Sequence, residues 1–366
     1  MSAARGRGRV VVAMSGGVDS SVAAALLAEE GYEVVGMTME LHGHADTGLA
    51  SVERSCCDLR AYQDARRVCD RLGVPHVVLD LKEEFRREVM DVFAAEYFAG
   101  RTPNPCVLCN TRLKWEHLWR RAELAEARWV ATGHYARVAG EGGGSRLLRA
   151  ARPEKDQSYA LWGVRRERLE RTLFPLGGLE KADVRRLARA LDLPVADKAE
   201  SQDICFVPDG DYGRFLRHHD PAGAGQCREG DLVGPDGALL GRHPGIAHFT
   251  IGQRRGLGVA LGRPHYVSRI EADTGRVHLA EEDALYHRAL RADGLNWLVD
   301  EPAGELECLA AIRYRDPGSP CRVRVEGGSA EVTFDEPRRA IAPGQCVVFY
   351  QGQQVLGGGW IRAVLS

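Results

Sequence analysis

Apolar residues recur along the first half of the chain in two alternating rhythms. Short, nearly continuous apolar runs at residues 9–14, 33–39, 76–81 and 129–132 read as buried strands. Between them the apolar positions fall three or four residues apart. Val22 with Leu26 and Ala23 with Leu27 predict a helix over 20–30. Ala61, Ala65, Val68 and Leu72 share one face over 61–72, with Gly73 as a stop. Phe85, Val89, Val92 and Phe93 predict a helix over 84–99, and Val184, Leu187, Ala188 and Leu191 another over 181–191. Strands alternating with helices of this length imply βαβ units and an α/β, Rossmann-like parallel sheet, whose ligands bind beyond the carboxyl ends of the strands. After about Pro208 the texture changes. Gly and Pro punctuate short β-like segments at 266–270, 276–279, 321–325, 330–334 and 346–350. The expected layout is a first domain over 1–207, a small central linking domain over 208–280 and a C-terminal β-barrel over 281–366.

Composition narrows the classes. With 366 residues, 44% hydrophobic and 27% charged, the chain is globular and long enough for two or three domains. No run of 18 apolar residues exists, so no membrane span is expected, and residues 10–14 are too short for a signal-peptide core. The net charge of −2 gives no overall nucleic-acid signal, so any polyanion site must be a local patch. Of 49 basic residues only five are lysine, at 82, 114, 155, 181 and 198, and each draws attention for that reason. Ten cysteines without a secretory signal point to reduced thiols. Cys69, Cys227, Cys308, Cys321 and Cys346 sit in apolar contexts and read as packing residues. Cys56-Cys57, the pair Cys106/Cys109, and Cys205 sit in loop-like contexts.

Three motifs carry chemistry. The first is Ala13-Met14-Ser15-Gly16-Gly17-Val18-Asp19-Ser20-Ser21, between an expected strand and an expected helix. Glycines allow close backbone approach, and the amides of a helix start, with its dipole, cradle an anion. It lacks the Gly-Lys-Ser/Thr end of a Walker loop and the GxGxxG of dinucleotide sites. The string resembles the pyrophosphate loop of ATP pyrophosphatases, which adenylate a carbonyl-type oxygen. Adenosine contacts would come from Met39, ending the second strand, and Gly133, ending the fourth. The second motif is Asn104-Pro105-Cys106-Val107-Leu108-Cys109-Asn110. A zinc half-site completed by Cys56-Cys57, a redox pair, a structural loop and a nucleophile all compete here. The third is Glu200-Ser201-Gln202-Asp203-Ile204-Cys205-Phe206, where Cys205 is a candidate sulfur carrier.

Together with Ala131-Thr132-Gly133-His134-Tyr135, Lys155-Asp156-Gln157-Ser158-Tyr159, the stretch 249–254 and Gly357-Gly358-Gly359, this ordered set resembles the bacterial tRNA-specific 2-thiouridylases over nearly the whole chain. The resemblance implies an N-type ATP pyrophosphatase domain, a central domain and a tRNA-contacting barrel, acting in the cytoplasm with ATP and Mg²⁺. ATP would be held by Ala13, Met14, Ser15, Gly16, Gly17, Val18, Asp19, Ser20, Met39 and Gly133. The wobble uridine of Lys, Glu and Gln tRNAs would be adenylated at its C2 oxygen. A sulfur-relay protein or cysteine desulfurase would load Cys205 with a persulfide, and Cys109 would act as nucleophile. Asn104, Pro105 and Cys106 would face the target base. His134, Lys155, Asp156, Gln157, Arg313, Tyr314 and Gln345 would contact tRNA. Many members have Asp where this chain has Cys106. Cys106, Cys109 and Cys205 could then offer three thiolates to an iron–sulfur cluster. The rivals are another adenylating pyrophosphate-loop synthetase and a nucleotide-sensing RNA-binding or metal-binding module with no catalysis.

Overall fold

The structure is a computed structural model; it describes residues 6–48, 59–140, 144–199, 204–223 and 229–365. The chain forms two compact units. One holds Met1–Glu88, Cys106–Asp209 and Gln353–Leu356; the other holds Val89–Pro105, Gly210–Gly352 and Gly357–Ser366.

The first unit contains β1 (Arg9–Ala13), β2 (Glu33–Glu40), β3 (His76–Asp80), β4 (Trp129–Ala131), the antiparallel hairpin β5 (Ala136–Ala139) and β6 (Arg146–Arg149), and β7 (Thr172–Leu173). Its main sheet runs β3-β2-β1-β4-β7 with parallel pairings throughout. Val10, Val11 and Val12 of central β1 are fully buried. An unbroken valine run suits a parallel strand covered on both faces, and each such side chain contributes about 1.5–3 kcal/mol. Helix Val18–Glu29 follows β1 and is apolar nearly all round, so Val22, Ala23 and Ala24 are buried as deeply as the sheet. Helix Leu59–Leu72 stops where expected: Gly73 has φ +65°, and the Val74 amide donates to the Cys69 carbonyl at 3.0 Å.

Two expectations change. β3 is an edge strand, which leaves Val77 40% and Val78 39% exposed where a buried strand was expected. The helical run at 82–98 is also not one α-helix. A π turn, Arg86–Met90, separates Lys82–Phe85 from Asp91–Phe98. Its extra residue rotates the apolar face, so Met90 is buried and Val92 only half-buried.

The second unit has a helix, Tyr212–His219, in the tract expected to be all β; Asp211 caps it by accepting from the Arg214 amide at 2.8 Å. β8 (Gly230–Val233), β9 (Leu239–His243), β10 (Tyr266–Glu271) and β11 (Arg276–Ala280) form a sheet in the order β10-β11-β8-β9. Leu232, Phe249, Val267 and Val277 form its core. β12 (Tyr286–Trp297), β13 (Leu306–Ala311), β14 (Ser319–Glu326), β15 (Ser329–Arg339), β16 (Cys346–Gln351) and β17 (Gln354–Leu365) run β12-β15-β14-β13-β16-β17, and a β12–β17 pairing closes the barrel. The glycines near the chain end serve that closure. A Cβ on Gly357 would lie 2.4 Å from the Asn296 carbonyl oxygen, and one on Gly359 2.7 Å from the Leu295 side chain.

Parallel sheet, central sheet and terminal barrel are the expected architecture. Among the described residues no helix is long and apolar enough to cross a membrane. Cys69, Cys321 and Cys346 are buried packing residues, and Cys308 faces Cys321 across β13 and β14 with the sulfurs 3.7 Å apart. Cys56, Cys57 and Cys227 lie outside the described residues.

Candidate active site

β1 pairs with β2 on one side and β4 on the other. The strand order reverses there, and ligands of such sheets sit beyond the carboxyl ends at that point. The Ser15–Gly17 turn and the start of helix Val18–Glu29 emerge at this place. Local geometry explains Gly16. Gly16 has φ +68°, and a Cβ there would stand 2.1 Å from the Ala61 carbonyl oxygen. The Gly17 carbonyl accepts from Ser21 Oγ at 2.8 Å and Ser20 Oγ at 3.2 Å. Ser20 Oγ in turn accepts the Ser15 amide at 3.1 Å. Ser20 and Ser21 are buried, so they tie the loop together as well as lining it. Gly133 ends against the same loop: a Cβ there would lie 2.7 Å from the Ser20 nitrogen. Its bare backbone therefore lets the end of β4 approach the loop. Met14 and Met39 are buried at the ends of their strands, and the Met14 amide donates to the Met37 carbonyl at 2.7 Å.

Two scarce lysines reach this loop. Lys181 Nζ donates to both carboxylate oxygens of Asp19, at 2.7 and 2.8 Å, and Tyr135 Oη donates to Asp19 Oδ1 at 2.8 Å. Lys198 Nζ donates to the Gly16 carbonyl at 3.0 Å and to Asp64 Oδ2 at 2.7 Å. The sequence assigned neither a role. The signal available was their rarity beside 44 arginines.

The cysteines are placed differently from the loop expected. Helix Pro105–Leu108 carries Cys106, and Cys109 opens a π segment, Cys109–Lys114, that continues into helix Trp115–Leu124. Cys106 is exposed and Cys109 is buried. Next to it, Asn110 donates through Nδ2 to the Ala160 carbonyl at 3.2 Å. Cys205 is partly exposed in a turn closed by the Val207 amide on the Ile204 carbonyl at 2.9 Å, and Phe206 anchors that turn edge-on against Phe85. Residues 200–203, which complete that motif, lie outside the described residues, as does the Cys56-Cys57 pair of the zinc alternative. Among the described residues no three His, Cys, Asp or Glu side chains gather to hold a metal ion. The three thiols are therefore not gathered as ligands for an iron–sulfur cluster in this arrangement.

Beside the loop, His134 Nδ1 shares a hydrogen bond with Thr132 Oγ1 at 2.8 Å. Burial, and then the charge of Lys114, hold its pKa down to about 3, so the imidazole is neutral. Gln157 Oε1 accepts the Tyr135 amide and the Gln157 amide donates to the Tyr135 carbonyl, both at 2.9 Å, which joins the 155–157 stretch to the end of β4. The Asp156 carboxylate accepts from the Ala150 amide at 2.9 Å, the Ser158 amide at 3.1 Å and Ser158 Oγ at 2.9 Å. Asp156 and Gln157 thus shape the turn that presents half-buried Lys155.

In the second unit, Gln345 Nε2 donates to the Thr102 carbonyl at 2.9 Å, and the Thr102 amide donates to the Pro343 carbonyl at 2.9 Å. Gln345 therefore holds the approach to Asn104 and Pro105. Arg313, Tyr314 and Arg315 lie in an exposed turn after β13.

Comparison with known proteins agrees with this geometry. A family described as the tRNA methyl transferase HUP domain matches residues 8–209, its PRC-barrel domain 215–281, and an aminomethyltransferase beta-barrel domain 287–361. The tRNA-specific 2-thiouridylase MnmA of Geobacter metallireducens is 48% identical over 366 residues, covering 99% of both chains. That of Amoebophilus asiaticus is 46% identical over 360 residues, covering 98% of this chain and 96% of its own. Among solved structures, a 4-thiouridine synthetase–RNA complex matches 59% of this chain and 51% of its own, at 16% identity and a TM-score of 0.38. The domain descriptions speak of methyl transfer and the full-length relatives of thiouridylation. The relatives decide, because they match the chain from end to end, and the chain belongs to the tRNA-specific 2-thiouridylase family.

Proposed function

We propose that the protein is an ATP-dependent tRNA 2-thiouridylase, a sulfurtransferase that makes 2-thiouridine at the wobble position. The observation that carries this reading is the Ser15–Gly17 turn and helix start at the β1/β4 switch point, backed by Gly133. That is a cradle for the phosphates of ATP.

ATP adenylates the C2 oxygen of uridine and releases diphosphate. Cys205 carries sulfur as a persulfide, loaded by a relay protein or cysteine desulfurase. The Cys109 thiolate attacks Cys205 Sγ, which forms a Cys109–Cys205 disulfide and frees hydrosulfide. Hydrosulfide adds at C2, AMP leaves, and an external thiol reductant restores both cysteines. Cys109 is buried, so the reading requires the segment around it to open when tRNA binds and the target base leaves its stack. Asn104, Pro105 and Cys106 face that base. Lys155 and Arg313 offer cations, Tyr314 a stacking face, and neutral His134 a hydrogen bond or stacking surface.

Mg²⁺ would arrive on the triphosphate and would supply charge neutralisation for the departing diphosphate. The tRNA substrates are those that carry Lys, Glu and Gln, and the work is cytoplasmic. Borders near 207 and 280 separate the catalytic, linking and tRNA-contacting parts.

The test is mass spectrometry of tRNA nucleosides after incubation with ATP, Mg²⁺ and a persulfide donor. The expected product is 2-thiouridine with one AMP per base. Its absence, with tRNA and ATP both bound, overturns the reading.

A further inference from the structure

The Gly16–Gly17 peptide is the most rotatable one in the phosphate loop, because neither residue has a Cβ to restrict it. In a planar trans peptide the carbonyl and the following N–H point in opposite directions. Whatever holds the Gly16 carbonyl therefore also aims the Gly17 amide. Lys198 Nζ donates to that carbonyl at 3.0 Å. Asp64 Oδ2 holds the same ammonium at 2.7 Å, and the Lys198 side chain is about one-third exposed (36%). Asp64 lies on helix Leu59–Leu72, which also supplies the Ala61 carbonyl that crowds Gly16. On the next peptide, Ser20 and Ser21 pin the Gly17 carbonyl. Both loop carbonyls are thus turned onto donors of the protein.

We infer that Lys198 is a positioning residue for ATP: by anchoring the Gly16 carbonyl it fixes the loop peptide with the Gly17 amide directed at the phosphates. Without it the peptide can flip and present a carbonyl oxygen to an anion. The inference rests on the reading of the loop as the ATP site. It also gives a reason for one of the five lysines. A compact ammonium can meet a carbonyl and a carboxylate at one point, whereas a planar guanidinium spreads its donors.

The experiment measures dissociation constants for ATP, inorganic pyrophosphate and adenosine by calorimetry on the full chain. Wild type is compared with Lys198→Met, Lys198→Arg and Asp64→Asn. Lys198→Met is expected to weaken ATP and pyrophosphate about tenfold and leave adenosine unchanged, the loss of one charge-assisted contact. Lys198→Arg is expected to recover part of the loss, and Asp64→Asn to produce a smaller loss in the same direction. Unchanged ATP and pyrophosphate binding in Lys198→Met overturns the inference. So does an equal loss for adenosine, which would mark a general loosening of the fold. Wild type that fails to bind ATP overturns the underlying reading, and the inference with it.

Discussion

The Lys181 ammonium meets both carboxylate oxygens of Asp19, at 2.7 and 2.8 Å. Asp19 stands in the first turn of helix Val18–Glu29, where a carboxylate favours the helix dipole but opposes an incoming triphosphate. Lys181 resolves that conflict by neutralising Asp19 in place. Lys181→Met should raise the KM for ATP about fivefold, since a partly exposed ion pair is worth about 1 kcal/mol. The KM for tRNA should stay constant. Asp19→Asn in the same background should return part of the ATP affinity. Steady-state kinetics on the three proteins check this, and an unchanged KM for ATP in Lys181→Met counts against it.

In the proposed function Cys205 and Cys109 divide one task in two. Cys205→Ala should bind tRNA and consume ATP to diphosphate yet make no 2-thiouridine. Cys109→Ala should accept sulfur on Cys205, visible as a 32 Da gain in intact mass (the mass of one sulfur), and stall there. Filter binding, diphosphate release and protein mass spectrometry separate the two steps. Detectable 2-thiouridine from Cys205→Ala removes the persulfide assignment.

The parallel sheet was legible because β1, β2 and β3 each carry two or three consecutive valines and the helices between them space apolar residues three or four apart. The loop was legible because its glycine pair follows a strand and opens a helix, and Gly16 holds a backbone conformation and a closeness to Ala61 that suit only glycine. Lys181 and Lys198 were not legible as partners of the loop. They lie 162 and 182 residues from their contacts at Asp19 and Gly16, and no local pattern encodes a long-range ion pair. The turn at Arg313 was not legible for a related reason. Its shape comes from the buried Asp316 carboxylate, which accepts the Ile312 amide at 3.1 Å and the Gly318 amide at 3.0 Å. The π segments at Arg86–Met90 and Cys109–Lys114 keep helical composition while shifting the face by one residue, so periodicity alone passes over them.

His134 gives a pH dependence. Its pKa is held down from an ordinary 6.5 to about 3, first by burial and then by Lys114. Below pH 6.5 the unfolded chain takes up a proton that the folded one refuses, so stability falls as pH drops through that window toward 3. The slope is at most about 1.4 kcal/mol per pH unit, reduced by the water that reaches a half-buried ring. His134→Gln removes the titration and keeps a polar group near Thr132. Urea unfolding at pH 7 and pH 5 should show wild type losing more stability than the variant. Parallel losses would place the acid sensitivity elsewhere.

Asp316 anchors the turn to which the proposed function assigns RNA contact in the barrel. Its side chain is 1% exposed, and both oxygens accept from Arg338 Nη2 at 3.0 Å while holding the turn at two amides. Arg315 sits in that turn at φ +65°, a conformation a non-glycine residue keeps only when its surroundings impose it, with its guanidinium over the Tyr314 ring. Full removal of Asp316 would take the partner from half-buried Arg338 and the acceptors from two turn amides at once, so Asp316→Asn is the useful change. It keeps the shape and one acceptor oxygen but loses the charge that fixes Arg338. The turn should loosen, tRNA affinity should fall several-fold, and the KM for ATP should not move, because the phosphate loop belongs to the other unit. Filter binding of tRNA beside ATP kinetics reads both quantities. Equal tRNA affinity in Asp316→Asn would mean that the turn does not need its buried anchor to meet RNA.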